Sequence, residues 1–392
     1  MKKTIFTLSA IVALAFTGCM NDEAPPILQD TDNQVNSGDN TVSVSGMISE
    51  STTWTNNTIY VLNQKVVVSS GVVLTIQAGT IIKGTEGTGS LASALIVAKG
   101  GKLNATGTAT EPIIFTSIND NITVGQTSGT NLDETNSGLW GGLIVLGNAP
   151  CSFSGDVEVL QIEGIPADDT FGLYGGSDAA DDSGVYQYIS IRHGGALIGE
   201  GNEINGLTLG GVGSGTVIEN IEVVGNVDDG IEFFGGTVNA SNLLIWAQGD
   251  DALDIDQAYS GTINNAVVIL GANSDHAFEI DGPEGAATGS FTLNNVTIIG
   301  NSVTEDGEYA DYRSGAMGST ENIYAYGFKE TSDVELDNDG VATNYNNGLL
   351  TFGAWEIVLP SGVSDVASIF VNKASAVEVS GFGSTATAVT EG

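Results

Sequence analysis

Short apolar runs separated by turn-forming residues dominate the chain from Val42 onward. Runs such as 58–62, 72–76 and 94–97 are rich in Val, Ile, Leu and Ala, and Gly, Asn, Asp or Ser bound them. Such runs are typical of β-strands. No segment keeps an apolar period of 3.6 residues, and 54 glycines argue against long helices. The pattern therefore predicts an all-β chain.

The apolar runs recur at the length of one solenoid coil. Five of them follow an asparagine, and the spacings between these asparagines are 22, 23, 30 and 27 residues: Asn220, Asn242, Asn265, Asn295 and Asn322. One asparagine at an equivalent turn of each coil predicts a ladder of side-chain amides that bond along the stack. Coils of this length predict a single-stranded parallel β-helix.

Acidic residues recur in the same register over three successive coils. The offsets from Asp228 to Asp250 to Asp275 are 22 and 25 residues, and Glu232, Asp254 and Glu279 repeat them. Apolar residues alternate with these acids, so the acids should point outward and the apolar residues should fill the core. Ten acids form the row: Asp228, Asp229, Glu232, Asp250, Asp251, Asp254, Asp256, Asp275, Glu279 and Asp281.

Stacked carboxylates need a compensating charge. Two of them about 4.8 Å apart repel by about 3 kcal/mol at an effective dielectric near 20. No Lys or Arg lies between His193 and Tyr312. We therefore predict that the row binds a divalent cation, above all Ca²⁺. The alternatives are a solvated face that aids solubility, and catalysis. Glu335 and Asp337 should extend the row, with Arg313 as its fixed countercharge.

A second acidic group lies in a glycine-flanked loop. Asp178, Asp181 and Asp182 fall between Gly175 and Gly184. Hard oxygen ligands in a loop suit Ca²⁺, although the spacing does not match an EF-hand. The loop is therefore predicted either to hold Ca²⁺ or to be solvated.

The overall charge limits the partners. The formal net charge is −38, which disfavours nucleic acid and anionic lipid surfaces and leaves cations, neutral sugars and basic proteins. Two cysteines provide no disulfide framework, and two histidines argue against a zinc site. Arg192 and His193 are predicted to pair with nearby acids, with a substrate clamp as the alternative. Trp246 is predicted to pack in the core, with a sugar-stacking platform as the alternative.

The first residues predict export and lipidation. Met1-Lys2-Lys3, an apolar run and Gly18-Cys19 are typical of a secretory signal, and they resemble a bacterial lipoprotein signal. That resemblance implies a signal peptide over residues 1–18 and an acylated Cys19, which would hold the protein in the outer membrane on its periplasmic or cell-surface side. The polar residues 19–41 should form a flexible tether. The β-helix is predicted over 42–355 and a cap or tail over 356–392.

Three further segments carry a family resemblance. Residues 79–84, 139–147 and 228–239 resemble Bacteroidetes-type surface lipoproteins with a right-handed parallel β-helix. The resemblance implies that fold for most of residues 42–355. It implies no catalytic residues.

A local resemblance points to another function. Val227-Asp228-Asp229-Gly230, Gly249-Asp250-Asp251 and Asp275-His276-Ala277 resemble the active-site motifs of polygalacturonase-type β-helix hydrolases. It implies that Asp229, Asp250 and Asp251 are the acid and base carboxylates and that His276 lies beside them. The Arg-x-Lys that grips an acidic sugar in that family is missing. We therefore predict a non-catalytic, Ca²⁺-stabilised module that binds glycans or other envelope proteins, with a polysaccharide-degrading enzyme as the alternative.

Overall fold

The computed structural model describes residues 40–166, 169–197, 204–303 and 307–390. Within these ranges, 25 strands form one hydrogen-bonded network, and every pairing in that network is parallel. The prediction of an all-β parallel β-helix is confirmed. The predicted signal peptide, Cys19 and nearly all of the predicted tether lie outside the described residues. No helix in the described ranges is both long and apolar enough to cross a bilayer.

The pairings divide each coil among three sheets. Six long strands bend from sheet 1 into sheet 2: Gly184–Arg192, Val217–Val224, Asn239–Trp246, Thr262–Ile269, Phe291–Ile299 and Gly318–Tyr326. Sheet 1 also contains Thr52–Trp54, Val73–Ile76, Lys102–Thr106 and Leu350–Phe352. Sheet 2 also contains the first halves of Asn40–Ile48 and Thr58–Val68, and Ile81–Gly84, Ile113–Ser117, Trp355–Val358 and Ala386–Val389.

Sheet 3 takes the short third side of every coil. It begins with the second halves of Asn40–Ile48 and Thr58–Val68. It continues through Ala94–Val97, Leu143–Leu146, Leu207–Gly210, Ile231–Phe234, Leu253–Asp256, His276–Ile280, Glu308–Tyr312, Val334–Leu336 and Phe370–Asn372. Outside the three sheets, Leu160–Gln161 pairs antiparallel with Leu173–Tyr174, and the described ranges contain one α-helix, Asp339–Asn346.

Asparagine forms the corner between sheets 1 and 2 in five successive coils. Their φ angles lie between 55° and 63°, in the left-handed region that asparagine tolerates better than most residues. The Asn265 Nδ2 donates to the Asn242 Oδ1 at 2.6 Å, and the Asn322 Nδ2 donates to the Asn295 Oδ1 at 3.3 Å. The Asn295 Nδ2 donates instead to the Asn264 Oδ1 at 2.8 Å, so the predicted amide ladder is confirmed at two of its four steps.

Apolar side chains fill the inside of the helix. In sheet 3, Ile231 pairs with Leu253 and Phe233 pairs with Ile255, and all four are buried. Burying one such side chain stabilises the fold by about 1.5–3 kcal/mol. The alternation predicted for these strands is confirmed.

The outer face of sheet 3 changes character along the helix. In the early coils Ile96, Ile144 and Leu146 point outward and pack against Phe153 and Tyr174. These two aromatic residues belong to residues 147–183, an insertion between sheet 3 and sheet 1 that we call the covering segment. From Glu232 onward the outward positions of the sheet are mainly acidic.

The stack continues past the boundary predicted at residue 355. Phe370–Asn372 pairs with Val334–Leu336, and Ala386–Val389 pairs with Trp355–Val358. The ring of Phe382 then packs against Phe352 and Phe370, at centroid distances of 5.0 and 5.2 Å. The segment predicted as a cap or tail therefore both extends the coils and packs on their end. Its strands escaped the sequence pattern because they are short and follow polar loops.

Trp246 differs from its predicted role. Trp54, Trp140 and Trp355 are buried, whereas Trp246 is 36% exposed. It follows Ile245, which points into the core, so the alternation of the strand turns Trp246 outward. The prediction that Trp246 packs in the core is wrong.

Candidate functional site

Five carboxylates stack on consecutive coils of sheet 3. Glu232 pairs with Asp254, Asp254 with Glu279, Glu279 with Asp311, and Asp311 with Glu335. We call these five residues the acid ladder. The stacking of its first three members, and the extension to Glu335, were predicted from the sequence. Asp311 was missed because it follows Glu279 by 32 residues, well outside the repeat of 22 and 25.

A second row runs beside the acid ladder. Asp256 and Asp281 follow the paired residues Ile255 and Ile280. Arg313 and Asp337 occupy the next two coils, one position after the paired Tyr312 and Leu336. The Arg313 Nε donates to the Asp281 Oδ2 at 2.8 Å, and its Nη2 forms an ion pair with Glu279. The prediction that Arg313 is a fixed countercharge is confirmed.

A third group lies where the strands of sheet 3 begin. The backbone N–H of Asp251 donates to the Asp229 Oδ1 at 3.0 Å. The Asp251 Oδ1 in turn accepts from the His276 backbone N–H and contacts the His276 Nδ1, both at 2.9 Å. Asp228, Asp250 and Asp275 precede these residues by one position and lie nearer the solvent. The sequence placed these residues on successive coils correctly.

The acids of the ladder point away from the core, but most of them are not solvated. Glu232 exposes only 5% and Asp311 only 7% of its surface. The Asn205 amide donates to Glu232, and Lys373 forms an ion pair with Glu335. The alternative of a solvated face therefore does not fit the buried members of the ladder. The sequence could not show this cover, because it comes from loops that are distant along the chain.

The cover is built from the covering segment and a loop that follows sheet 3. The backbone N–H of Gly285 donates to the Ser152 Oγ at 3.1 Å, and that of Ala286 donates to the Asp156 Oδ1 at 2.7 Å. The Gln257 Nε2 donates to the Glu284 Oε1 at 2.9 Å beside the second row. Water is thereby kept away from part of the acid rows.

Burial and like charge change the acidity of these groups. Burial raises the pKa of Asp229, Glu232 and Asp254 well above the usual range, and neighbouring carboxylates raise each pKa further. Burial, followed by the charge of Asp281, raises the pKa of Asp256 to about 7. Burial raises the pKa of Asp311 to about 7. Without a cation, several of these carboxyls therefore keep a proton near neutral pH.

The surrounding acids keep His276 in its charged form. Burial alone would lower its pKa, but the hydrogen bond to Asp251 and the surrounding acids raise the pKa to about 9. Asp250 lies beside the same pair, and burial followed by the charge of Asp251 raises its pKa to about 6. His276 is therefore a cation at neutral pH and a countercharge within the acidic group.

Several sets of acids converge closely enough to hold a metal ion. Within each set the ligand atoms lie within 4.8 Å of one another; four of these sets are Asp228/Asp229/Asp250, Asp229/Glu232/Asp254, Asp251/His276/Glu279 and Asp311/Glu335/Asp337. The Asp254 Oδ1 and the Asp311 Oδ1 are buried and have no hydrogen-bond partner among the described residues. Hard carboxylate oxygens with free acceptor capacity fit Ca²⁺ well.

The loop acids do not converge in this way. Asp182 pairs with Lys102 at 2.6 Å, while the Asp181 carboxylate accepts from the Asn148 amide and the Ser183 hydroxyl. The Asp178 Oδ1 accepts from the backbone N–H of Ala180 at 3.0 Å. Asp178, Asp181 and Asp182 are not among the converging sets that the described residues contain.

The geometry of the residues predicted for hydrolysis differs from what an inverting hydrolase needs. Oxygens of Asp229 and Asp250 lie within 4.8 Å of each other, whereas inverting enzymes separate their carboxyls by about 6.5–9.5 Å to admit a water. Asp251 is 1% exposed and holds two donors of His276. Asp229, Asp250 and Asp251 therefore lie close together, and only Asp250 is exposed.

Comparison with known proteins identifies the fold family. A family model described as a pectate-lyase-like beta helix domain matches residues 46–390. No curated protein and no solved structure matches the chain. The parallel β-helix that the sequence resemblance implied is thereby confirmed, and the resemblance to surface lipoproteins stays a prediction.

Proposed function

The chain belongs to the family of pectate-lyase-like β-helix domains, and from that premise we propose that it is a Ca²⁺-stabilised glycan-binding or adhesion module of the cell envelope. Membership in this family supports a carbohydrate-related role. The metal, the absence of catalysis and the location are the finer parts of the proposal, and each has its own support.

The acid ladder supports the metal. Its five carboxylates lie one coil apart, a spacing at which neighbours repel by about 3 kcal/mol when both are charged. Arg313 and Lys373 compensate only part of this charge. The observation that carries the proposal is the Asp311 Oδ1, which is buried beside Glu335 and Asp337 without a hydrogen-bond partner among the described residues.

Ca²⁺ would supply positive charge at this position. Asp311, Glu335 and Asp337 provide up to six carboxylate oxygens, and Ca²⁺ takes six to eight oxygen ligands in flexible geometry. Asp229, Glu232 and Asp254 form a second set at the other end of the ladder. Binding would let these carboxyls ionise together and would remove the unfavourable burial of their charges.

The arrangement of Asp229, Asp250 and Asp251 supports binding without cleavage. An oxygen of Asp229 and an oxygen of Asp250 lie within 4.8 Å of each other, nearer than the carboxyl separation of about 6.5–9.5 Å in inverting enzymes, and Asp251 is paired with His276. The sequence also lacks the Arg-x-Lys pair that would grip an acidic sugar. A glycan would therefore be held rather than hydrolysed.

Polysaccharide cleavage is the second candidate, and one observation favours it. His276 is held against Asp251 with a pKa of about 9, so it could donate a proton at neutral pH to a substrate that reached the exposed Asp250. The family fold is compatible with a glycoside hydrolase or a lyase.

One experiment separates the two candidates. Metal-free wild-type protein, Asp311→Asn and Asp250→Asn are titrated with Ca²⁺ by calorimetry and are incubated with pectin, alginate and agar. We expect both variants to bind Ca²⁺ at least about tenfold more weakly, because a charged ligand is lost, and we expect no turnover. The control is Glu356→Gln, an exposed acid on a strand of sheet 2. Unchanged Ca²⁺ affinity, or turnover that Asp250→Asn abolishes, would contradict the proposal.

The envelope location rests on the predicted lipoprotein signal, which lies outside the described residues. Acylation of Cys19 would place the β-helix at the outer membrane through a flexible tether. Cells fed a labelled fatty acid should label the wild-type protein and not Cys19→Ser. Equal label in both would exclude lipidation at this residue.

A further inference from the structure

An open cleft lies where sheet 2 leads into sheet 3, and none of the five residues of the acid ladder lines it. The first of its two cavities has a volume of about 480 Å³ and is lined by Thr135, Ser137, Trp246 and Asn273 together with neighbouring coil corners. The second has a volume of about 300 Å³ and lies over Arg192. Both cavities touch Trp246 and Glu134, so they meet at the indole ring. Volumes of this size are typical of small-ligand sites.

The walls of the cleft are firmly held. One wall is the insertion between Ile113–Ser117 and Leu143–Leu146, and its base is bonded to the coil through the Leu139 N–H and the His193 carbonyl at 3.0 Å. The His193 Nδ1 contacts the Asn136 carbonyl oxygen at 2.8 Å. The other wall is formed by the corners that lead from sheet 2 to sheet 3. The cleft is therefore a formed site rather than a gap between loose segments.

The chemistry of the cleft combines an aromatic face with polar groups. Trp246 is 36% exposed although it lies on a regular strand, and the strand position turns its ring outward. Thr135, Ser137 and Asn273 offer hydroxyl and amide groups around it. An indole face packs against the C–H face of a sugar ring, while hydroxyls and amides bond the sugar hydroxyls.

The charges of the cleft favour a neutral ligand. Arg192 is occupied by Glu222, at 3.3 Å, and by the Thr127 carbonyl oxygen, at 3.0 Å. Burial lowers the pKa of His193, so it is neutral near pH 7. Asp133 and Glu134 add negative charge, and the chain as a whole carries −38. An anionic sugar such as a uronate would be repelled.

We propose that this cleft binds a neutral oligosaccharide, with Trp246 as the stacking platform. The proposal rests on the glycan-binding part of the proposed function and places it at a site separate from the acid ladder. The ladder then stabilises the helix, and the cleft holds the sugar.

The test is a binding titration with Ca²⁺-loaded full-length protein. Cello-, manno-, xylo- and galacto-hexaose are titrated by intrinsic tryptophan fluorescence and calorimetry, with hexagalacturonate as the anionic probe. We expect at least one neutral hexaose to bind and to change the fluorescence. Trp246→Ala should weaken binding at least about tenfold, and Trp246→Phe should retain most of it. Tyr326→Ala is the control, because Tyr326 lies in the same outward row three coils away and lines neither cavity.

The outcomes separate this proposal from the metal proposal. No binding of any neutral hexaose, binding of hexagalacturonate alone, or binding that survives Trp246→Ala would overturn the cleft as a sugar site. In each of these cases, a Ca²⁺ response of the melting curve would leave the metal proposal standing. Neutral sugar binding that is lost in Trp246→Ala, in a protein that ignores Ca²⁺, would support the cleft and overturn the metal.

Discussion

The Arg313 guanidinium lies between carboxylates of the preceding coil. It contacts Glu279 and Asp281, and the side chains of these two acids are nearly buried. Removing one partner of such an ion pair destabilises the fold, because the remaining buried charge has neither hydration nor an opposite charge beside it. Lys102 and Asp182 form a contrasting pair, since both of their side chains are well exposed.

Replacing Arg313 by Gln should therefore destabilise the protein. We expect a loss of about 1–3 kcal/mol in the free energy of unfolding, measured by urea denaturation of the metal-free protein. Lys102→Gln is the matched control and should change stability by no more than about 1 kcal/mol, because exposed ion pairs contribute little. Equal losses in the two variants would show that Arg313 is not the countercharge of the ladder.

The sequence was sufficient to predict the roles of some single residues and not of others. Arg313 could be assigned as a countercharge from the sequence because it is the first base after a long acidic stretch. Asp311 could not, because the coil before it is lengthened. The role of Trp246 was misjudged because an apolar row on a strand was taken as core, although its parity with Ile245 turns it outward.

The acid ladder is the element that concentrates negative charge on the coil stack. Parallel pairing fixes its acids one coil apart, so their spacing is set by the backbone and cannot relax. Burial and mutual repulsion raise the pKa of its members, and a proton or a metal ion must offset the remaining charge. The register was predictable from the acid spacing, whereas its burial was not, because the covering segment folds over from a distant part of the chain.

This element predicts how stability depends on pH in the metal-free protein. The folded-state pKa of Asp256 and of Asp311 is about 7, above the ordinary value of 3.8. Their contribution is fully present below the ordinary value and is lost as the pH rises through about 7. The pKa of His276 is raised from 6.5 to about 9, so its contribution is fully present below pH 6.5 and is lost as the pH rises through about 9. Stability should therefore fall by several kcal/mol between pH 5 and pH 8, because each pKa unit is about 1.4 kcal/mol per group.

The measurement is urea denaturation of chelator-treated protein at pH 5, 6.5 and 8. Saturating Ca²⁺ provides the comparison and should flatten the trend, because a bound cation favours the charged carboxylates. Greater stability at pH 8 than at pH 5 in the metal-free protein would contradict the assignment of these raised pKa values.

At the scale of the whole molecule, the fold followed from the sequence more fully than the site did. The sequence predicted the coil repeat, the asparagine ladder and the inward direction of Ile231 and Phe233. Each of these features is a short pattern that recurs once per coil. The covering segment, the last strands and the proposed sugar cleft could not be predicted from the sequence. They depend on loops of irregular length that meet only after the coils have stacked.

The molecule as a whole therefore joins a regular coil stack to two sites with separate tasks. The stack positions the acids on sheet 3 and the indole of Trp246 on sheet 2 of one network of parallel strands. A cation on the ladder would stabilise every coil that the acids span, from Glu232 to Glu335. Its effect should appear in the stability of the entire helix.

Thermal unfolding with and without Ca²⁺ shows whether the acid ladder is a cation site. Full-length protein is stripped with chelator and melted at pH 7.5 in chelator, in millimolar Mg²⁺ and in millimolar Ca²⁺. We predict that Ca²⁺ raises the melting temperature by roughly 5 °C or more, because a ligand that binds only the folded state stabilises it by mass action. Identical melting curves in chelator and in Ca²⁺ would contradict the claim that the acid ladder is a cation site.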